Sequence, residues 1–189
     1  MTGRVIVIGG GVRSGKSSFA LARARALGPR RGFVATAQAF DAEMTARIAD
    51  HVRTRGRDFQ TIEEPIALPE RLATLRDLDV VVVDCLTLWL SNLLLDDQSA
   101  AQIATRVDEL ARIIETRPFH TILVTNEVGM GIVPESPLGR VFRDVAGVAH
   151  QRLAQVAGEL YFATLGVVIR LRPAPIALEP TSVPPGDHR

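Results

Sequence analysis

The chain has 189 residues, 47% of them hydrophobic and 23% charged, with a formal net charge of +1. That length and balance fit one soluble globular domain with a sizeable core; the near-zero charge gives no overall bias toward nucleic acid or acidic membranes, so any basic site must be local. The single cysteine, Cys85, excludes an intramolecular disulfide and a cysteine-based zinc cluster, and no apolar run approaches the length of a membrane span.

The first element is the apolar run Val5-Ile6-Val7-Ile8, continuous rather than alternating, as in a strand buried on both faces of a parallel sheet. It begins so near Met1 that no signal peptide fits, and a cytoplasmic location is expected. Directly after it, Gly10-Gly11-Val12-Arg13-Ser14-Gly15-Lys16-Ser17 fits the pattern G-x-x-x-x-G-K-[ST]. The helix-like Ser18-Phe19-Ala20-Leu21-Ala22 follows. A strand before and a helix after are what a phosphate-binding loop requires. Its glycines let the backbone wrap an anion, and successive N–H groups point inward. The helix N-terminus adds a favourable field for negative charge. Lys16 would reach the β- and γ-phosphates, and Ser17 would ligate Mg²⁺.

Gly32-Phe33-Val34-Ala35-Thr36 reads as a shorter strand. The segment Asp41 to Arg55 has helical character, with Asp41 as N-cap. At 100° per residue, Arg47, His51 and Arg55 form one stripe, beside an apolar stripe of Met44, Ile48 and Val52. Two readings stand for the basic stripe. It is a solvated helix face, or it is a phosphate site where two guanidiniums keep an imidazole neutral and nucleophilic.

Val80-Val81-Val82-Val83 is the next buried strand, and Asp84 closes it. An acidic residue there suits the Mg²⁺ shell of a P-loop protein, at the edge where open α/β sheets place ligands. It equally suits an N-cap for the helix patterned by Leu86, Leu90, Leu93 and Leu94; the two roles are compatible. Cys85, in the same apolar stretch, reads as a buried, inert thiol. Ile103, Val107, Leu110 and Ile114 mark another helix.

Thr121 to Val124 is a third buried strand, leading into the loop Thr125-Asn126-Glu127-Val128-Gly129-Met130-Gly131-Ile132-Val133-Pro134. Glu127 there could bind metal or activate a hydroxyl. Ser136-Pro137 reads as an N-cap and first helical residue, opening a helix to about Gly158. Arg140 and Arg143, near its start, either contact phosphate or are solvated. Asp144-Val145-Ala146-Gly147 matches a D-x-x-G switch string but falls in a helical stretch, and no N-K-x-D follows it. Leu160 to Ala163 and Val167 to Leu171 flank Leu165-Gly166 as a closing hairpin. Residues 1–171 therefore form one domain. Five of the last 18 residues are proline, so 172–189 read as a mobile tail. Strands alternating with helices imply an α/β P-loop NTPase fold, a mostly parallel sheet flanked by helices.

The motifs together are more telling. The P-loop string, Ala35-Thr36-Ala37-Gln38 leading to Asp41-Ala42-Glu43-Met44 and His51, Asp84-Cys85-Leu86-Thr87 before Asn92-Leu93-Leu94, and Glu127-Val128-Gly129-Met130-Gly131-Ile132-Val133-Pro134 before Phe142-Arg143-Asp144 and Gln151-Arg152-Leu153-Ala154 all stand in order. Over residues 4–171 the chain closely resembles the bifunctional adenosylcobinamide kinase / adenosylcobinamide-phosphate guanylyltransferase family of cobalamin biosynthesis. The resemblance implies a RecA-like parallel sheet and a homotrimer. It implies phosphorylation of the aminopropanol hydroxyl of adenosylcobinamide by ATP or GTP. Transfer of GMP from GTP onto that phosphate follows, through a guanylylated histidine that matches His51. It also makes Glu63, with the loop residues and Asp84, a nucleotide-binding position. In such a reaction Lys16, the loop N–H groups and Mg²⁺ would offset the charge of the leaving pyrophosphate, and Arg47 and Arg55 would steady the α-phosphate. One departure is His150, where many relatives carry asparagine.

Two other functions compete. A kinase-only P-loop enzyme acting on another small alcohol would form no covalent GMP adduct. A RecA-like regulatory or nucleic-acid-linked ATPase would need stacking surfaces, and only Trp89, Tyr161 and seven phenylalanines are available.

Overall fold

The computed structural model describes residues 2–38, 53 and 56–173. Of the expected helix over Asp41 to Arg55 only Arg53 is described, and it is helical; Arg47, His51 and Arg55 lie outside the described residues, as does the tail from residue 174.

Along the described chain run β1 (Val5–Gly10), α1 (Lys16–Leu27), β2 (Arg31–Ala35), β3 (Gln60–Glu63), α2 (Leu68–Thr74), β4 (Val80–Asp84), α3 (Leu86–Leu95), α4 (Ala100–Thr116), β5 (His120–Val124), α5 (Pro137–Val156), β6 (Glu159–Thr164) and β7 (Val167–Arg172). One sheet holds the strands in the order β3-β2-β4-β5-β1-β6-β7. All pairings are parallel except β6 with β7. The register sets Val7 of β1 between Leu123 of β5 and Leu160 of β6.

The continuous apolar runs have a simple cause: both faces of the sheet are covered. Ile6, Ile8, Val80, Val82, Ile122 and Val124 pack with Ala20, Leu21 and Ala24 of α1. Val5, Val7, Val81, Val83 and Leu123 pack on the other face with Leu86 and Leu90 of α3, Ile103 and Leu110 of α4, and Leu153 of α5. Each fully buried leucine or isoleucine contributes about 1.5–3 kcal/mol relative to exposure.

The helix starts follow the sequence. Ser99 and Gln102 form a reciprocal capping box on α4. Ser136 accepts the Gly139 N–H at the start of α5, with Pro137 in the first turn. The D-x-x-G string lies inside α5, so it forms no switch loop. The hairpin turn uses Leu165 and Gly166, both at positive φ, the pattern of a type I′ turn. β7 reaches Arg172, one residue into the stretch read as tail.

β3 and α2 escaped the sequence reading. β3 is four residues long, and only Ile62 is even half-buried. α2 has seven residues, too few for a helical period to repeat.

At the amino ends of the strands, Glu159 joins three elements. Its carboxylate accepts from Arg4 at 3.2 Å, from Arg23 at 2.7 and 2.9 Å, and from the Tyr161 hydroxyl at 2.8 Å. Burial by itself would raise its pKa, but the donors from Tyr161, Arg23 and Arg4 hold it below the ordinary 4.5. A depressed carboxylate contributes stability above its unfolded pKa and loses it as pH falls through the folded value. Urea midpoints of the wild type should therefore fall as the pH drops below 4.5. Glu159→Gln should be less stable at neutral pH and show a shallower acid decline; parallel pH curves for the two proteins would refute this.

Candidate nucleotide site

The phosphate loop leaves the sheet at Gly10, the last residue of β1. Here a side chain has no room: a Cβ would lie 2.4 Å from the Ala163 carbonyl oxygen of β6 and 2.9 Å from Ser14 Oγ. The loop then turns through left-handed conformations at Arg13 (φ 54°) and Gly15 (φ 92°). Gly15 is the N-cap of α1 and makes no side-chain cap, so the first N–H groups of the helix remain directed at the loop. Gly11, Val12, Arg13 and Gly15 are exposed, Ser17 is half-buried, and Ser14 and Lys16 are buried. Ser14 Oγ is a buried polar atom without a hydrogen-bond partner among the described residues.

Lys16 folds back over this concavity and donates to the Gly11 carbonyl at 2.9 Å. Burial lowers its pKa, opposed by the charge of Asp84. The lysine and the aspartate, far apart in sequence, thus feel each other at one edge of the sheet. Asp84 is the last residue of β4, half-buried. The capping role read for it falls instead to Cys85, the N-cap of α3, whose side chain makes no cap bond. Burial and the Asp84 charge push the Cys85 thiol up to about 11, so it is an inert thiol at neutral pH. Glu63 is exposed at the carboxyl end of β3, on the same edge as Asp84 but at the outer strand, with β2, β4 and β5 between it and β1.

Behind this edge lies a buried polar web that the sequence reading left without a role. Thr36 Oγ1 donates to the Cys85 carbonyl at 2.7 Å and accepts the Cys85 N–H at 2.9 Å. Asn92 donates to the carbonyls of Thr36 and Pro65 at 2.8 and 3.0 Å. Asn126 donates to Thr87 Oγ1 at 3.0 Å. These bonds tie the ends of β2, β4 and β5 to α3. For Thr36 and Asn126 the signal was a polar residue just past an apolar strand; Asn92, inside α3, gave none. Trp89 is fully buried with its indole N–H on the Ile66 carbonyl, so it offers no stacking surface.

The loop after β5 docks on the phosphate loop itself. The Glu127 N–H donates to the Gly10 carbonyl at 3.0 Å, and Glu127 Oε1 accepts the Gly129 N–H at 2.6 Å. Arg143 donates to the Gly129 carbonyl at 2.8 Å, and Arg140 to the carbonyls of Pro134 and Glu135 at 3.1 and 2.6 Å. Both arginines thus staple the loop, a role neither sequence reading included. Cavities of about 400 and 740 Å³ open at the amino ends of the strands, one beside Arg4 and Arg23, the other beside Arg30 and His120. No phosphate-loop residue lines either. The loop presents its exposed backbone at Gly11, Val12, Arg13 and Gly15 as a cradle.

A glycine-gated loop between β1 and the N-terminus of α1, with a buried lysine and an acidic strand end, defines a P-loop nucleotide-binding protein of the α/β class. Solved structures agree on the fold. A protein from Pyrococcus horikoshii OT3 matches with a TM-score of 0.58 at 11% identity, covering 90% of this chain and 87% of its own. A KaiC-like protein from the same organism gives 0.51 at 13%, covering 90% and 79%. The chain belongs to the cobinamide kinase / cobinamide phosphate guanyltransferase family, whose model matches residues 6–171. It is 40% identical to the bifunctional adenosylcobalamin biosynthesis protein CobP of Pseudomonas aeruginosa, over 88% of this chain and 96% of that one. It is 37% identical to the protein CobU of Escherichia coli K12, over 89% and 99%.

The Thr36 bonds carry a stability prediction. Thr36→Val keeps the shape but strands the buried Cys85 N–H. Chemical denaturation should show a loss of about 1–3 kcal/mol; a loss within 0.3 kcal/mol, roughly the noise of such measurements, would mean the Thr36 bonds add nothing.

Proposed function

We propose that this protein phosphorylates the aminopropanol hydroxyl of adenosylcobinamide with ATP or GTP, and then transfers GMP from GTP to that phosphate. The products of the second step are adenosylcobinamide-GDP and pyrophosphate. The observation that carries the reading is the phosphate cradle of Gly10 to Ser17 in a chain of this family.

For the kinase step, the loop N–H groups and Lys16 hold the β- and γ-phosphates, leaving the γ-phosphorus open to the substrate hydroxyl. A loose, largely dissociative transfer requires mainly positioning and charge compensation. Lys16 suits this: its ammonium already turns inward on the Gly11 carbonyl, a position from which a phosphate oxygen can replace that acceptor. For the second step, His51 attacks the α-phosphorus of GTP. An N–P bond forms, the bond to the pyrophosphate breaks, and the guanylylated histidine then gives GMP to the phosphate of the substrate. Arg47 and Arg55, one helical turn either side of His51 in the expected helix, neutralise the α-phosphate.

Ser17 and Asp84 fit Mg²⁺. Among the described residues no group of three or more His, Cys, Asp or Glu side chains gathers to hold a metal, and Mg²⁺ at such sites takes one or two protein oxygens and completes its shell from phosphate and water. When bound, the ion supplies charge neutralisation at the phosphate oxygens. Among the described residues no helix is long and apolar enough to cross a membrane. A cytoplasmic homotrimer completes the reading, and sedimentation of the purified protein checks the assembly.

Covalent labelling tests the central claim. Wild type incubated with Mg²⁺ and α-³²P-labelled GTP should retain protein-bound label that survives alkali and is released by acid, as a phosphoramidate is. His51→Ala should take up none, while keeping the γ-phosphate transfer to adenosylcobinamide. Lys16→Ala should lower both steps by about 100-fold or more. Equal labelling of wild type and His51→Ala would overturn the assignment of the nucleophile.

A further inference from the structure

His150, in the penultimate turns of α5, reaches the nucleotide edge from behind. Its Nε2 lies 2.7 Å from Thr125 Oγ1, and its Nδ1 lies 3.8 Å from Glu127 Oε2. Thr125 is buried, and its N–H donates to the Ile8 carbonyl of β1 at 3.0 Å. Glu127 follows two residues later and rests its own N–H on Gly10. One imidazole therefore touches both residues through which the post-β5 loop is anchored to β1 and the phosphate loop.

The contacts select a tautomer. With Nδ1 protonated, that N–H faces the Glu127 carboxylate and Nε2 accepts the Thr125 hydroxyl proton. Burial lowers the pKa of His150, and the facing Glu127 charge opposes that shift. The ring is thus hydrogen-bonded through Nε2 and faces the Glu127 carboxylate through Nδ1.

We propose that His150 is a positioning residue: it orients the Glu127 carboxylate in the loop whose backbone rests on the phosphate loop, at the edge where the substrate hydroxyl meets the γ-phosphate. Gly129 N–H holds Oε1 of Glu127, and among the described residues His150 is the side chain that faces Oε2. Without the imidazole, the second carboxylate oxygen loses its directing group, and the loop loses its link to α5 at Thr125. This inference rests on the reading that the edge binds a nucleoside triphosphate.

The experiment has two arms on the full-length protein. In the first, the His150 ring is titrated by NMR in wild type and Glu127→Gln, its signals assigned by their loss in His150→Gln. Removing the Glu127 charge should shift the His150 titration to lower pH; coincident curves would overturn the proposal. In the second arm, steady-state phosphorylation of adenosylcobinamide is measured for three variants. His150→Phe fills the space without either nitrogen and should lower kcat about 10- to 100-fold, with KM for GTP little changed. His150→Asn keeps a donor near the Nδ1 position and should retain more activity than His150→Gln, which keeps only a group near Nε2. Wild-type kcat in His150→Phe, or equal losses in the Asn and Gln variants, would also overturn it. If wild type neither binds nor turns over nucleotide, the nucleotide reading fails instead, and the titration arm still reports on the His150–Glu127 coupling.

Discussion

The placement of β1 is the constraint on which the rest of this molecule depends. The strand is buried on both faces and paired on both edges, by β5 and β6. Its end is therefore fixed by pairing on both sides. At that end, the Ala163 carbonyl leaves no room for a side chain on Gly10, so the chain must leave the sheet there, close to its neighbours. The turn that follows brings the N-terminus of α1 over the carboxyl edge of the sheet. A rigid strand thus aims a backbone cradle, and no side chain needs to be ordered to build it.

The same edge collects what the chemistry requires because the strands around β1 are parallel. β4 ends at Asp84 and β5 at Val124, in register with each other, so their following residues emerge side by side. The Asp84 charge reaches Lys16 across this edge. Polar groups could not be held there by burial alone; an unpaired one would cost about 1–3 kcal/mol. The Thr36, Asn92 and Asn126 bonds supply the missing partners. They keep a polar floor beneath the nucleotide edge without opening the core to water.

The fold itself is shared by proteins of 11 to 13% identity, so it does not select a reaction. A reaction is set by the loops at the carboxyl edge. Here the loop after β5 is fastened three ways: to Gly10 through Glu127, to α5 through Arg140 and Arg143, and to His150 through Thr125. Such fastening makes a loop behave as part of the scaffold, and a substrate hydroxyl can then be held against a phosphate with little ordering left to do.

Much of this was legible in the sequence. The apolar runs at Val5, Val80 and Thr121 announced strands covered on both faces, and the hairpin around Leu165-Gly166 carried its own turn chemistry. The phosphate loop was readable because its function is local: eight consecutive residues specify both the backbone path and the ligand. The Ser136 cap of α5 is local in the same sense. Strand order was not legible, since continuous apolar runs pair equally well in many arrangements. The short β3 and α2 were missed because four and seven residues hold no period to recognise. The work of Arg143, Thr36 and His150 was also hidden, because each bonds to a group brought near by folding, and that of Arg140 because its bonds to nearby carbonyls leave no pattern in the sequence. Sequence alone determined the anion cradle and the class of sheet that presents it, since both depend on neighbours in the chain. Tertiary structure decided which polar side chains guard that cradle, because Thr36 and His150 bond to groups 49 and 25 positions away.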